Sequence, residues 1–469
     1  MKMQPARPLN LHALLCAQVR RPDAAISDAS AEVGLGDIVS GTCLTAAPDE
    51  LAGRSILLAT PDQLTTALAL IELDGTAARL VLCPSDVDPK YFSDIARAAG
   101  VDYVVHGREP AGRARLGLPM VEAQRHVVAT SSRPPPAQRT EWILLTSGTT
   151  GAPKLVRHDL ASLTAPIRSS LSSQPDTVWA TFYDIRRYGG LQIFLRAMLG
   201  GTPMVLSDPN EAIDAHLRRL GGRRVTHISG TPSHWRRVLM SGAAPTMSPR
   251  YVRLSGEIAD QAILDALHAA YPGAAISHAY ASTEAGVGFN VIDGKQGFPA
   301  SLVSREAAGG EVEIKISNDT LQLRSPRTAF DYLGADQPAI QGPDGFVDTG
   351  DLVELRGDRY VFMGRRGGVI NVGGQKVHPE EVEAAINQHP QVRMSLVQAR
   401  RSPITGALVV ADVLLKSSAD GSDPSAQSRL ADEILAHCRA TLRPFKVPSR
   451  IRFVETLPVA ATGKLARPS

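Results

Sequence analysis

The sequence predicts an α/β protein with a large amino-terminal domain of layered, mostly parallel sheets with helices and a small β-barrel-like part. A small, mobile α+β carboxy-terminal domain follows. Three observations predict this. Short continuous apolar runs alternate with helix-length segments from residue 55 to about 270, the rhythm of βαβ units whose strands are buried on both faces. Beyond about residue 311 polar and apolar residues alternate singly, as antiparallel strands require. Glycines then punctuate 342–374 before a second, shorter series of helix, strands and helix.

Taken in order, 56–59 reads as a strand, 61–73 as a helix, 80–83 as a strand, 91–99 as a helix and 103–105 as a strand. The segment 131–138 contains Pro134, Pro135 and Pro136 and reads as a connector. Strands are expected again at 143–145, 204–206, 226–228 and 251–254, with helices at 191–198, 212–220 and 262–270 between them. The antiparallel stretches are 311–317 and 320–324, followed by helix 379–388, strands 395–398 and 407–415, and helix 430–442. The low-complexity segment 417–428 reads as a surface loop. A boundary at the glycine-rich stretch divides the chain into domains 1–364 and 365–469.

Composition excludes several function classes. With 43% hydrophobic residues over 469 positions, the chain has ample material for a core and is not predominantly disordered. A net charge of +3 is too weak to imply nucleic acid or an acidic membrane surface as partner. Cys16, Cys43, Cys83 and Cys438 lack metal-ligand or redox spacing, which suggests a reducing compartment. No apolar run approaches the ~18 residues of a membrane span, and no signal peptide is read, so a cytoplasmic protein without membrane insertion is expected.

The strongest chemical segment is TSGTTGAPK at 146–154, directly after an apolar run. Thr146, Ser147, Gly148, Thr149, Thr150 and Gly151 make a loop rich in amide and hydroxyl donors, and Lys154 closes it with a cation, which suits a polyphosphate. The spacing is not that of a P-loop, because the two glycines are too close and Pro153 precedes the lysine. This segment resembles the phosphate-binding loop of the adenylate-forming (AMP-binding) superfamily of acyl- and aryl-CoA synthetases, nonribosomal adenylation domains and beetle luciferases. Four further segments follow in the family's order: AYASTE at 279–284, DTGD at 348–351, GRRGGVINVGGQKVHPEEVE at 364–383 and PVAATGKLAR at 458–467.

The resemblance implies activation of a carboxylic acid by ATP with Mg2+, then transfer of the acyl group to a thiol. CoA is the expected acceptor, with the phosphopantetheine of an acyl carrier protein as the alternative. A non-catalytic nucleotide-binding protein is the reading from a different class. By the same resemblance Thr283 meets the α-phosphate, Glu284 holds the metal, Tyr280 packs on the adenine, and Ser255, Gly256, Glu257 and Lys376 join the nucleotide site. Asp351 grips the ribose, with Arg365 as its partner from the other domain, and Lys464 bridges carboxylate and α-phosphate. Gly367 and Gly368 stand at the family's pivot, and Gly373 and Gly374 match the stretch along which a pantetheine arm runs.

Departures from the family pattern shape the substrate expectation. The region before residue 146 looks short, as if keeping only part of one βαβ layer. FYDIRRYGG at 182–190 puts Arg186 near the family's gating position, where it could meet an anion or form a surface salt bridge with Asp184. The acid that holds an amino-acid substrate falls at Arg187 or Tyr188, which disfavours such substrates. Ala281 replaces the usual glycine. With Phe182, Tyr183, Tyr188, Trp235 and Val287 as pocket candidates, a compact aromatic or medium aliphatic acid is expected.

Overall fold

A computed structural model of the chain describes residues 10–19, 21–108, 116–130, 138–146, 152–167, 176–303, 312–334, 337–402, 406–416, 424–460 and 462–467. Two eight-stranded sheets form the large domain. In spatial order the first runs Gly286–Val291, Ala275–Ser282, Tyr251–Ser255, His227–Gly230, Trp179–Thr181, Met204–Val205, Ala25–Ser27 and Glu32–Gly34. The second runs Asp331–Leu333, Lys154–Asp159, Glu141–Thr146, Arg79–Leu82, Ser55–Leu58, Tyr103–His106, Met120–Ala129 and Gly41–Leu44. Parallel pairs fill the middle of both sheets, and antiparallel pairs close their edges.

Five layers result. Helices Gln63–Leu73 and Tyr188–Leu199 lie between the sheets, in one core with Ile26 and Met204 of the first and Ile56, Leu80 and Leu144 of the second. All eleven residues of Gln63–Leu73 are buried, as expected of a helix apolar on every side. Asp62 starts it by accepting from the Thr65 amide. On the outer face of the first sheet, helices Ile213–Gly222, Pro232–Met240 and Gln261–Ala270 cover Ile228, Val252 and Leu254. Helix Phe92–Ala99 covers Val81 and Val104 on the outer face of the second.

The expected antiparallel part is a five-stranded sheet ordered Phe298–Pro299, Arg359–Arg365, Val347–Arg356, Thr320–Arg324 and Glu313–Ser317. The small domain packs helices Pro379–Asn387 and Pro424–Thr441 against the three-stranded sheet Val392–Ser402, Gly406–Leu415 and Arg450–Phe453. It touches the large domain where Glu381 receives Arg356 at 3.3 Å and Asn387 donates to Asp260 at 3.4 Å. Among the described residues, no helix is long and apolar enough to cross a membrane.

Two expectations fail. The chain before residue 146 is not part of one layer, because up to that residue it supplies six strands of the second sheet and two of the first. Strands of three or four residues, such as Ala25–Ser27 and Gly41–Leu44, are too short to show a period. Within the expected loop 417–428, residues 424–428 are the first turn of Pro424–Thr441, with proline at the position where its fixed φ favours a helix start; residues 417–423 lie outside the described set.

Candidate active site

Five chain segments converge on one cleft between the domains. The hairpin of Glu141–Thr146 and Lys154–Asp159 pairs Thr146 with Lys154, which brackets the expected phosphate loop. Ser147, Gly148, Thr149, Thr150 and Gly151 of that loop lie outside the described residues. Lys154 Nζ sits 4.8 Å from the centre of the Tyr332 ring, and the Tyr332 hydroxyl donates to Glu284 Oε1 at 3.2 Å. Tyr332 arrives because Asp331–Leu333 pairs with Lys154–Asp159. Its phenol is pushed above the usual tyrosine value, by burial first and then by the Glu284 charge.

Thr283 and Glu284 occupy the turn between Ala275–Ser282 and Gly286–Val291. Beneath the turn, His158 Nε2 donates to the Thr283 carbonyl at 2.8 Å. Burial pushes His158 down to about 4, so it holds the turn as a neutral imidazole. His158, Tyr332 and the turn form a rigid support for the carboxylate of Glu284.

Asp351 and Arg365 face each other across the hairpin of Val347–Arg356 and Arg359–Arg365, with Arg365 Nε donating to Asp351 Oδ1 at 3.0 Å. Arg365 therefore belongs to the large domain's hairpin and does not come to Asp351 from the small domain. The Tyr280 hydroxyl donates to Asp351 Oδ2, and its ring stacks on Phe362 at 5.5 Å and on Phe289 at 5.7 Å. Tyr280 thus fixes the carboxylate while one aromatic stack fixes Tyr280.

The tail places Lys464. Residues 458–460 and 464–466 pair with each other, with Ala460 donating to Lys464 O and Ala466 to Pro458 O. Three contacts seat this segment in the cleft. Thr231 Oγ1 donates to Gly463 O at 2.8 Å, the Leu465 amide donates to Glu257 Oε1 at 2.9 Å, and Gly463 packs against the His234 ring. Gly463 has φ +74°, and a Cβ there would fall 1.8 Å from His234 Cε1, so only glycine fits. Lys464 then reaches over Gly256, where an added Cβ would lie 3.3 Å from its Cε. The residue is exposed at the cleft mouth, yet the cleft walls crowd it. This crowding lowers its pKa from the ordinary lysine value, opposed chiefly by Glu257.

Several expected site residues take other places. Glu257 is occupied by protein, accepting from the Ser233 amide and hydroxyl as well as from Leu465, and so anchors the tail. Arg186 forms the expected salt bridge with Asp184, but in the interior and not on the surface. It is 1% exposed, binds Asp184 through Nε and Nη2, and donates to Thr60 O at 2.7 Å, so its guanidinium is consumed in tying a loop to the core. Trp235 is fully buried on the outer side of the first sheet, its Nε1 donating to Arg253 O at 3.3 Å, so it is core and not pocket wall. Tyr183 donates to Ser255 O at 2.7 Å and buttresses that strand end. Tyr188 and Ala281 stay beside the site: Tyr188 is buried behind the Thr283 turn, its ring 5.7 Å from His158, and Ala281 sits half-buried at a bulge opposite Val287.

Gly367 and Gly368 form an exposed turn after Arg366, which is held to Asp348 at 2.9 Å. Gly373 and Gly374, with φ of +55° and +84°, make the exposed turn of the hairpin Ile370–Val372 and Gln375–Val377, and Lys376 is exposed on it beyond the cluster. Tyr332, His158, Thr231 and His234 were not anticipated. None lies in a recognisable segment, and only strand pairing and helix capping bring them to the cleft.

This fold and cleft define a two-domain α/β protein whose small domain delivers a lysine to the large one. The AMP-binding enzyme profile matches residues 60–328, and that of the AMP-binding enzyme C-terminal domain matches 381–464. The chain belongs to the AMP-binding enzyme family. It is 26% identical over 373 residues to the human mitochondrial acyl-coenzyme A synthetase ACSM2A, covering 73% of this chain and 62% of that protein's length. It is 26% identical over 342 residues to the 2-succinylbenzoate–CoA ligase of Listeria innocua, covering 70% and 69% of the two chains. Among solved structures, the anthranilate CoA ligase AuaEII in complex with anthranoyl-AMP superimposes with a TM-score of 0.77 at 18% identity, over 98% of this chain and 96% of that one.

Proposed function

We propose that the protein joins a carboxylic acid to a thiol in two steps. The acid's carboxylate oxygen attacks the α-phosphorus of ATP, the bond to the bridging oxygen breaks, and pyrophosphate leaves. A thiol then attacks the acyl carbon, AMP departs with the bonding electron pair, and the thiol proton passes to solvent. The placement of Lys464 carries this reading: a tail segment with three separate anchors brings one ammonium over Gly256, in the cleft that also holds the Asp351–Arg365 pair.

Each residue then has a task. Lys464 offsets the charge that develops between carboxylate and α-phosphate. Asp351, oriented by Tyr280 and Arg365, accepts the ribose hydroxyls. The loop 146–154 supplies amide and hydroxyl donors to the phosphates. Glu284, held through Oε1 by the Tyr332 hydroxyl, is the carboxylate that would hold a magnesium ion, a hard cation that favours oxygen ligands. That ion would supply charge neutralisation on the phosphates.

The names of the relatives favour CoA over a carrier protein as acceptor. Pyrophosphate release over a panel of aryl and aliphatic acids tests the first step. AMP release with CoA or with a phosphopantetheinylated carrier protein then tests the acceptor. If no acid supports pyrophosphate release, the reading is wrong and nucleotide binding without catalysis replaces it.

A further inference from the structure

Helix Tyr188–Leu199 turns an unusual face toward the first sheet. Tyr188, Gln192 and Arg196, four residues apart, share that face and are only 5, 5 and 9% exposed. Across from them, Arg253 projects from Tyr251–Ser255 on the side opposite Val252 and Leu254, which pack in the outer core, and it is 8% exposed. The four make a buried polar layer in the middle of an apolar sandwich.

The layer is cationic and incompletely bonded. Arg196 donates one hydrogen bond, from Nη2 to Pro166 O at 3.3 Å, and its Nε has no partner among the described residues. The Tyr188 hydroxyl faces the Val287 backbone without completing a hydrogen bond, and Gln192 Oε1 is also unpartnered. The charges acting on Arg196 are Arg253 and Arg327, with no carboxylate among its main neighbours, and burial beside those cations pushes it down to about 10. Arg327 contributes its charge while donating to Val287 O at 2.9 Å. Arg196 and Arg253 are like charges buried together, and no carboxylate among the described residues is a main neighbour of Arg196; such a pair opposes folding, and a hydrophobic helix face would serve packing better. An anionic ligand would accept from the Arg196 and Arg253 guanidiniums and the Tyr188 hydroxyl.

The position of the layer says which anion. Arg253 lies one pleat from Ser255 on the same face of the strand, roughly 7 Å along it. Ser255 adjoins Gly256, beneath Lys464. On the other side Val287 pairs with Ala281, next to the Thr283–Glu284 turn. The guanidiniums therefore lie behind the point where the activated carboxylate must sit. Resting on the adenylating reading above, we propose that the substrate is a dicarboxylic acid, whose distal carboxylate is held by Arg196, Arg253 and the Tyr188 hydroxyl while the other is activated under Lys464. The short separation calls for a spacer of a few carbons or a single aromatic ring.

The test compares diacids with their half methyl esters, which keep one carboxylate for activation and lose the distal charge. In ATP-dependent pyrophosphate release by the intact protein, at least one diacid between succinate and a benzene dicarboxylate series should exceed its half ester by about 100-fold or more in kcat/KM, because a site built for a charged group rejects the analogue lacking it. Arg196→Met and Arg253→Met should each raise KM for that diacid by at least about 10-fold and bring the diacid-to-ester ratio toward one. Monoacids and half esters turned over as well as diacids by the unaltered protein would overturn the proposal. If neither kind of acid releases pyrophosphate, the adenylation reading falls instead. Calorimetric titration of the same diacids and half esters then decides the anion site: preferential diacid binding, lost in Arg196→Met, supports it, and equal or absent binding overturns it.

Discussion

Gly463→Ala tests whether the docked tail is the working arrangement for adenylation. The methyl group would meet His234 Cε1 at 1.8 Å and Nε2 at 2.1 Å, and the backbone would have to hold φ +74° with a side chain attached. The left-handed conformation costs about 1–2 kcal/mol for a non-glycine residue. Forcing a methyl into packed surroundings adds about 1–3 kcal/mol. Together they oppose docking by about 2–5 kcal/mol, enough to lower the docked population from about 30-fold upward. The contacts from Thr231 to Gly463 and from Leu465 to Glu257 belong to the same docked state and would be lost with it. Pyrophosphate exchange should fall by at least that factor, while thioester formation from supplied acyl-adenylate and the melting temperature change little. Adding His234→Ala removes the clash but not the φ penalty, so exchange should recover in part, with a coupling of about 1–3 kcal/mol. Exchange at the unaltered rate in Gly463→Ala would refute the reasoning, because Lys464 would then act from a pose other than this one.

Asp351→Ala removes a charged acceptor from the proposed ribose site, a loss of about 1.5–3 kcal/mol, so KM for ATP should rise about 10- to 150-fold with a smaller change in kcat. His158 is fully buried with its pKa depressed to about 4, so as pH falls the unfolded chain binds its proton first. Its contribution to stability is intact above about pH 6.5 and is lost progressively down to about pH 4, approaching roughly 3 kcal/mol. His158→Gln should therefore show a shallower fall in melting temperature between pH 7 and 4.5, and equal slopes would exclude this role. Gly367 has open space at its Cβ position and no positive φ, so Gly367→Ala should fold and adenylate normally. Gly367→Pro should slow thioester formation far more than pyrophosphate exchange if the pivot is real, and equal losses would count against it.

Much of the fold was legible because it rests on local patterns. Helix 61–73, read from its continuous apolar content, is the buried Gln63–Leu73, and the strands read at 143–145 and 251–254 lie within Glu141–Thr146 and Tyr251–Ser255. The strands Ala25–Ser27 and Asp331–Leu333 escaped, since three residues carry no period and they pair with Met204–Val205 and Lys154–Asp159, far along the chain. In the site, Thr283, Glu284, Asp351 and Lys464 were visible because glycine, acid and lysine must stand at fixed local spacing. Tyr332 was invisible, since its value depends on a sheet register with residues 155–157.

Arg186 and Arg196 mark the limit most clearly. Both are arginines in one stretch, and Arg186 was the one singled out, because neighbouring residues suggested a gate. Asp184, Thr60 and Ser85 saturate Arg186, whereas Arg196, eight residues into the helix at Tyr188, faces an arginine from a strand. By itself the sequence determined the layered α/β class, the order of the site segments and the residue types that could handle a nucleotide, all of which follow from near-neighbour spacing. Only the tertiary structure decided that Arg365 shares a hairpin with Asp351, that Glu257 anchors the tail, and that Arg196 and Arg253 stand together in the interior. Charge and hydrogen-bond satisfaction depend on what folding brings within a few ångströms, and separation along the chain does not record that distance.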